Sequence, residues 1–254
     1  MTTNADTTRF LDRPDGGRLA YVGREGGGPT AVFFGGFRSD MTGTKALALD
    51  AWARRTGRSF LRFDYFAHGQ SSGAFEDGTV GRWLDDSLAA IDGLTTGKLV
   101  LIGSSMGGWL SLLVAKHRPD RVAGWIGIAV APDFTEELML QRLSPEQRAT
   151  LEREGILRRP SRYSDQPDIL TWRLIEEGRD HLVLREPLRI DGPAHLFHGQ
   201  KDPDVPWEYS LKVMAHLEAT EVIATFTKDG DHRLSTPADL DRLIAAVEGM
   251  CARL

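Results

Sequence analysis

Cysteine is almost absent from this chain: Cys251 is the single one among 254 residues. An internal disulfide is therefore excluded, and a lone thiol suits a reducing compartment. Neither a CxxC pair nor a catalytic motif surrounds Cys251. We interpret it as a small apolar residue that packs in the last helix.

Long apolar runs are missing as well. Residues 1–9 are polar and lack the apolar segment of a secretion signal, and no stretch approaches the length of a membrane span. The same segment contains Asp6 and only one basic residue, Arg9, which is unlike a mitochondrial targeting segment. We therefore expect a cytoplasmic protein without a membrane partner.

A concentrated basic face is the third absence. The net charge is -5, and the one dense basic cluster, between Arg153 and Arg162, is interrupted by Glu154 and Pro160. Because phosphate binding needs a concentrated basic face, we do not expect a nucleic-acid partner. No pattern predicts a metal or a cofactor either. With 41% hydrophobic residues the composition is that of an ordinary globular protein.

Short apolar runs alternate with helical patterns along most of the chain. Runs this apolar are typical of strands buried on both faces. The helices between them have recognisable ends at Gly57, Thr79 and Thr236. The alternation predicts an α/β fold with a mostly parallel sheet covered by helices on both faces, preceded by an antiparallel strand at 18–23. The runs occupy residues 31–34, 60–63, 99–102, 122–130, 194–197 and 222–226.

The alternation lapses between Pro132 and Gly192. We predict that residues 132–192 form a helical lid, inserted into a core made of residues 1–131 and 193–254. Such an insertion is expected above the carboxyl ends of the strands, where open α/β sheets place their active sites.

Three helices are expected within this lid. Asp133 caps the first, Ser144 caps the second, and the third runs from about Asp165 to Glu177 and ends at Gly178. Their apolar residues either roof a pocket or pack the lid onto the core. These residues are Leu138, Met139, Leu143, Leu151, Ile169, Trp172 and Leu174.

The most informative stretch is LVLIGSSMGG, from Leu99 to Gly108. It places an apolar strand, a G-x-S-x-G pattern and a helical pattern in succession, which is typical of a nucleophile elbow. A serine on so sharp a turn is strained and exposed, and Gly103 and Gly107 leave the space that the turn needs. Ser105 is therefore the predicted nucleophile.

A serine hydroxyl is a weak nucleophile at neutral pH, so it needs a base. The chain has seven histidines, and His232 lies in a short polar segment between the last apolar strand and the last helix. The order nucleophile, acid, histidine requires the base to come last. We predict that His232 is the base, the alternative being a solvated turn histidine.

The other histidines fit this role less well, although His181 in the lid is a candidate substrate contact. Their positions explain the exclusion: His68 in a loop, His117 near a helix end, His195 and His198 flanking a buried strand, and His216 on a helix.

The acid that orients the base is predicted to be Asp202, which follows the strand at 194–197 in the segment HGQKDPDVP. Asp204 is the neighbour most easily confused with it, and its alternative role is a helix cap. Asp133 also follows a strand but is explained by its capping relation to Glu136. Asp64 and Asp231 are interpreted as loop residues that accept backbone hydrogen bonds.

A developing oxyanion needs two preorganised donors. One should be the backbone amide of Met106, directly after the nucleophile. The other should be the amide of Phe37, because the preceding glycines of the loop FGGFRSD, residues 34–40, permit a tight backbone.

The oxyanion loop, the elbow, the Asp202 loop and the terminal His232 together resemble the α/β-hydrolase superfamily over nearly the whole chain. More narrowly, the segments GFRSDMTGTKA at 36–46, RFDY at 62–65 and GQSSG at 69–73 resemble the abhydrolase-domain palmitoyl-protein thioesterases and acyl-glucuronide esterases. The resemblance implies hydrolysis of an ester or thioester, an acyl-protein included. Relatives often carry His-Gly before the oxyanion residue, where this chain has Gly35-Gly36; the change removes a side chain that can brace the loop.

A metal-independent serine hydrolase is thus the leading hypothesis. A carbon–carbon bond hydrolase or a cofactor-free perhydrolase would use the same three residues, and a ligand receptor on a hydrolase scaffold would retain the pocket without turnover. Lid arginines could pair with an anionic substrate group or be solvated surface. They are Arg148, Arg159, Arg162 and Arg173.

Overall fold

The computed structural model describes residues 7–159 and 168–254. Its strands are β1 Arg9–Asp12, β2 Arg18–Arg24, β3 Gly27–Phe34, β4 Arg58–Phe63, β5 Leu99–Ser104, β6 Val122–Ile128, β7 Ile156–Arg159, β8 Asp168–Thr171, β9 Leu188–Arg189, β10 Pro193–Gly199, β11 Leu217–Glu218 and β12 Glu221–Thr227. Its α-helices are α1 Thr44–Thr56, α2 Val80–Leu94, α3 Met106–His117, α4 Pro145–Glu154, α5 Trp172–Gly178, α6 Glu208–His216 and α7 Pro237–Ala252.

Eight strands form the main sheet in the order β1-β2-β4-β3-β5-β6-β10-β12. The β1–β2 and β2–β4 pairs are antiparallel, and every later pair is parallel. The six predicted apolar runs and the antiparallel strand at 18–23 all belong to this sheet. The predicted α/β fold is confirmed, and β1 is an edge strand that the sequence pattern did not indicate.

Alternate residues of the central strands enter two different cores. In β5, Leu99 and Leu101 pack on the side of α2 and α3, whereas Val100 and Ile102 pack on the side of α1 and α7. Because side chains alternate along a strand, a strand buried on both faces must be apolar throughout. This is why the runs were recognisable from the sequence.

Local signals set the ends of these helices. α1 ends at Gly57, which adopts a left-handed conformation with φ 64°. Thr79 caps α2, and Thr236 forms a capping box with Asp239 before Pro237 begins α7. All three predicted ends are confirmed. Within α7, Cys251 is buried, and burial raises the pKa of its thiol to about 11.

The segment between β6 and β10 differs in part from the sequence-based prediction. The second expected helix is confirmed, since Ser144 forms a capping box with Gln147 at the start of α4. The third is wrong at its beginning: residues 168–171 form β8, which pairs with β7, and α5 begins only at Trp172 with Thr171 as its cap. Asp165 lies outside the described residues. The division into a core and a lid stays a prediction.

Asp133 does not cap a helix with its side chain. A π-helical turn runs from Thr135 to Met139, and the buried carboxylate of Asp133 accepts hydrogen bonds from the amides of Val183 and Leu184 at 2.8 and 3.0 Å. The expected capping relation is therefore wrong, because two distant backbone donors compete successfully for the carboxylate.

Six of the seven apolar side chains expected in the lid, all but Ile169, lie against the main core. Leu151 and Leu174 are buried, and Leu138, Met139 and Trp172 are partly buried against the same cluster. Within the described parts of the chain, no helix has both the length and the apolarity needed to cross a membrane.

Candidate active site

Ser105 lies at the sharp turn between β5 and α3 with φ 55° and ψ -119°, a conformation that non-glycine residues rarely adopt. Space around the turn requires glycine. A Cβ atom at Gly107 would lie 2.1 Å from the carbonyl oxygen of Phe34, and one at Gly103 would lie 2.4 Å from that of Gly107. The strained serine and its two glycines match the nucleophile elbow that the sequence indicated.

Asp202 follows β10, with its side chain shielded from solvent. Its Oδ1 accepts hydrogen bonds from the amides of Asp204 and Val205 at 2.8 and 2.9 Å. Burial acts to raise the pKa of Asp202, but hydrogen bonds from His198 and His232 outweigh it and hold that pKa well below its usual range. The carboxylate is therefore an anion at neutral pH.

His232 connects the other two residues. Its Nδ1 lies 2.7 Å from Asp202 Oδ2, and its Nε2 lies 3.1 Å from Ser105 Oγ. The structure thus brings Ser105, His232 and Asp202 into one hydrogen-bonded chain, although they are far apart in sequence. The His232 side chain is 19% exposed, so it can be reached from solvent while its partner carboxylate cannot.

The turn that carries His232 is held from two sides. Asp231 Oδ1 accepts hydrogen bonds from the amides of Arg233 and Leu234, each at 3.0 Å. From α1, the ammonium group of Lys45 donates to the carbonyl of Arg233, and burial lowers the pKa of Lys45 to about 8. The interpretation of Asp231 as a loop-organising residue is confirmed.

The loop expected to supply an oxyanion donor lies against the elbow. A Cβ atom at Gly36 would be 3.4 Å from the Cβ of Ser105, so the next residue, Phe37, begins directly beside Ser105. Met106 is the first residue of α3, where a backbone N–H has no partner within the helix. The two expected donor amides therefore belong to segments that flank Ser105.

His68 braces this loop from the side. Its Nε2 accepts a hydrogen bond from the amide of Arg38 at 3.2 Å, and its Nδ1 lies 3.0 Å from the carbonyl of Phe66. Nδ1 therefore carries the proton and Nε2 is the acceptor. Burial lowers the pKa of His68 to about 4, which keeps the ring neutral. Arg38 itself has φ 59°, so its backbone needs such support.

Asp64 holds the same loop further along. Its buried carboxylate accepts hydrogen bonds from the amides of Met41 and Gln70 at 2.6 and 2.9 Å. Its interpretation as a loop-organising residue is confirmed.

Phe37 packs into an aromatic cluster. Its ring meets those of Phe75, Trp83 and Phe134 edge to face, with centroids 5.0, 5.9 and 5.7 Å away. Trp109 continues the cluster, 5.5 Å from Phe134. The surroundings of the expected donor residue are thus apolar.

The side chains of the remaining candidates are not part of the hydrogen-bonded chain of Ser105, His232 and Asp202. α6 begins at Glu208 without a side-chain cap, so Asp204 is not the helix cap that the alternative required. His181 Nε2 lies 3.0 Å from Glu177 Oε1, and its contact with substrate stays a prediction. Of the lid arginines, Arg148 pairs with Glu152 on an exposed face, and Arg162 lies outside the described residues.

Sequence reasoning missed His198. Both His195 and His198 were expected to flank a strand, but they lie within β10, and the His198 side chain is wholly buried. Its Nε2 is 3.1 Å from Asp202 Oδ2. The only signal in the sequence is the spacing of four residues between this histidine and the acid, across Gly199.

Among the described residues, one group could offer atoms to a metal ion. Asp202, Asp204 and His232 each present one atom within 4.8 Å of the others. Since Asp202 and His232 already bind one another, hydrogen bonding explains their proximity.

Comparison with known proteins gives a consistent result. The model of the "Alpha/beta hydrolase family" matches residues 26–249. "Palmitoyl-protein thioesterase ABHD10, mitochondrial" of Homo sapiens is 37% identical over 246 residues, which cover 96% of this chain and 80% of the human protein.

Two solved structures are also similar over almost their whole length. One, from Agrobacterium vitis S4, is 41% identical with a TM-score of 0.92 and coverage of 96% of this chain and 98% of that one. "Alpha/beta hydrolase domain-containing protein 10 from mouse" is 34% identical with a TM-score of 0.89, covering 97% and 99%. The chain belongs to the alpha/beta hydrolase family.

Proposed function

We propose that this protein is a serine hydrolase that cleaves carboxylic esters or thioesters through an acyl-enzyme. Ser105 is the nucleophile, His232 the general base and then acid, and Asp202 the residue that orients the imidazole. The observation that carries the proposal is the hydrogen-bonded chain from Ser105 Oγ through both nitrogens of His232 to the buried Asp202 carboxylate, at 3.1 and 2.7 Å.

The protonation states follow from these contacts. Asp202 is an anion, so the His232 nitrogen facing it carries a proton and Nε2 is left to accept one from Ser105. When Ser105 Oγ attacks the acyl carbonyl carbon, its proton passes to Nε2. The resulting imidazolium is stabilised by the Asp202 carboxylate.

The backbone amides of Phe37 and Met106 are the proposed donors to the tetrahedral oxyanion. Collapse of the intermediate breaks the bond to the leaving alcohol or thiol, which takes the proton from His232 Nε2. Water then gives a proton to the same nitrogen and attacks the carbonyl carbon of the acyl-serine. The bond between that carbon and Ser105 Oγ breaks, Oγ takes the proton back from Nε2, and the carboxylic acid is released.

The aromatic rings around Phe37 support an apolar acyl group, because a chain that lies beside the donor amide would meet Phe75 and Phe134 rather than water. Relatives named as palmitoyl-protein thioesterases agree with such a substrate. We therefore include acyl thioesters, on small molecules or on proteins, among the proposed substrates.

The test compares Ser105→Ala with Ser104→Ala, the adjacent serine of β5. We expect Ser105→Ala to lose at least about 10³-fold in kcat toward p-nitrophenyl esters and acyl thioesters and to take up no fluorophosphonate probe. Ser104→Ala should keep both properties. Wild-type turnover rates in Ser105→Ala, or a labelled Ser105→Ala protein, would contradict the proposal.

We also propose a cytoplasmic location. The single cysteine, Cys251, supports it, because a lone thiol suits a reducing compartment. Fractionation of cells that express the full chain tests this, and recovery of the protein in a membrane or secreted fraction would contradict it.

A further inference from the structure

The Asp202 carboxylate is shared by two imidazoles. Its Oδ2 lies 2.7 Å from His232 Nδ1 and 3.1 Å from His198 Nε2. His198 is wholly buried in β10, and its other nitrogen, Nδ1, is 2.6 Å from the hydroxyl of buried Ser210 in α6. A single hydrogen-bonded chain therefore runs from Ser210 through His198, Asp202 and His232 to Ser105.

The partners of His198 determine its tautomer. Its Nε2 faces two acceptors, the Asp202 carboxylate and the carbonyl of Val205 at 3.1 Å, so Nε2 must carry a proton. Its Nδ1 faces the Ser210 hydroxyl, which can donate to it. The Nε2–H of His198 thus points at the same oxygen that His232 uses.

We propose that His198 is a positioning residue of the hydrolase: its Nε2–H holds the Asp202 carboxylate in place and draws off part of its charge, which tunes how strongly the Asp202–His232 pair retains a proton. This inference rests on the proposed function.

Two consequences follow from this arrangement. Asp202 Oδ1 is already held by two backbone amides, so the bond from His198 completes the immobilisation of the carboxylate. A carboxylate that has lost a donor is also more basic. Without His198, the Asp202–His232 pair should therefore take up a proton at higher pH and leave His232 protonated, and inactive, over a wider range.

The other charged side chains near the Asp202–His232 pair are the same in the wild type and in the His198 variants. Asp204 presents an oxygen within 4.8 Å of atoms on Asp202 and His232, Asp231 closes the turn next to His232, and the ammonium of Lys45 lies against that turn from α1. None of these side chains is altered, so a change in the pH profile reports on His198.

The experiment compares three substitutions at this position. His198→Phe removes the donor, His198→Asn places its amide near the Ser210 end of the pocket, and His198→Gln can reach the Nε2 position with a donor. We expect the Phe and Asn variants to lose about 10- to 100-fold in kcat, a typical cost of removing a supporting partner, with little change in KM. In these two variants the acid limb of the pH profile of kcat/KM should move to higher pH. His198→Gln should restore both kcat and the position of the acid limb.

His195→Phe is the matched control. His195 lies three residues earlier in the same strand, bonds Thr225 and stacks on Phe197, without contact to Asp202. We expect wild-type kcat and an unmoved acid limb in this variant, whatever its melting temperature. If His198→Phe does not fold, the comparison of Asn with Gln decides the question.

A second measurement does not need turnover. In proton NMR of the uninhibited enzyme, the Nδ1 proton of His232 should move further downfield in His198→Asn and stay in place in His195→Phe. Unchanged kcat, acid limb and proton shift in all His198 variants would overturn this inference. A wild-type protein that neither turns over esters nor takes up a fluorophosphonate would instead refute the proposed function, and the NMR comparison would still test His198.

Discussion

His68 supports the backbone beside Ser105 through one acceptor atom. The glycine pair Gly35-Gly36 lacks the side chain with which relatives can brace this loop, and here the brace comes from the turn after β4. Because the ring is buried and neutral, the support is independent of pH over the range in which a hydrolase is normally assayed.

Replacing His68 tests that support. His68→Leu leaves the Arg38 amide without its acceptor, so the Phe37 amide should lose its alignment. Removing an oxyanion donor outright costs about 10²- to 10³-fold in kcat, and we expect a misaligned one to cost roughly tenfold, with KM little changed. Steady-state kinetics measures this. His68→Gln, whose amide oxygen can accept at the Nε2 position, should recover most of the rate; equal losses in both variants would argue against the brace.

The residues that could be predicted from the sequence are those whose role has a local signature. Ser105 lies in a turn motif, and Asp202 and His232 each follow a strand in polar loops, so their neighbours in sequence identify them. His198 and His68 have no such signature. His68 accepts from the amide of Arg38, which lies thirty residues away, so this proximity exists only in the folded chain. His198 is only four residues from Asp202, but the local sequence does not show that its ring turns toward the carboxylate.

Helices α1, α2 and α7 were predictable because each is delimited by a capping residue within its own sequence. The β7–β8 pair was not, since a four-residue strand has no period of its own and depends on its partner. The Asp-Ile-Leu-Thr segment of β8 runs directly into α5, so its apolar residues were indistinguishable from the first turn of that helix.

Glu177 of α5 links this helix to α2, and the strength of its ion pair with His181 depends on pH. Glu177 accepts a hydrogen bond from the Gly81 amide in the first turn of α2 and contacts His181. The hydrogen bond to Glu177 raises the pKa of His181, and nearby Asp180 and Asp85 act in the same direction. Burial opposes ionisation of Glu177, but the bond from His181 lowers its pKa overall.

This pair should stabilise the fold most between about pH 4.5 and 6.5. The His181 contribution is present below its unfolded pKa and is lost as pH rises through the raised folded value. The Glu177 contribution is present above its unfolded pKa and is lost as pH falls through the lowered folded value. We expect His181→Gln to lower Tm by about 1–3 °C more at pH 5.5 than at pH 8.5. Calorimetry at both pH values checks this, and an equal difference at the two would contradict it.

The fold as a whole was predictable because strands buried on both faces appear in the sequence as continuous apolar runs. Since these runs alternate with helices, the strands must be mostly parallel, which restricts the topology of the sheet. The edge strand β1 was not, since its four residues are mostly exposed and show no apolar pattern.

A buried ion pair network ties three elements of this fold together. Asp50 of α1 bonds Arg24 of β2 at 2.7 Å and lies 3.6 Å from Arg62 of β4, with all three side chains less than 10% exposed. Asp50→Asn removes the buried negative charge that faces these two guanidinium groups. We expect the free energy of unfolding to fall by about 3 kcal/mol, a usual cost of breaking a buried pair.

Urea denaturation measures this loss. Asp92→Asn is the control, because Asp92 pairs with Arg118 on the surface, where ion pairs contribute less than about 1 kcal/mol. Equal effects in the two variants would show that the buried network contributes no more than a surface pair.

Asp133 has a consequence for how this molecule can change over evolution. Its carboxylate accepts hydrogen bonds from the amides of Val183 and Leu184, and the carbonyl of Pro132 accepts one from the hydroxyl of Tyr209. The chain just after β6 is therefore bound to the chain at residues 183 and 184, shortly before it re-enters the sheet. Once two ends are fastened together, lengthening or rewriting what lies between them adds little entropic cost. The fold should therefore tolerate insertions and deletions between these two points with little loss of stability.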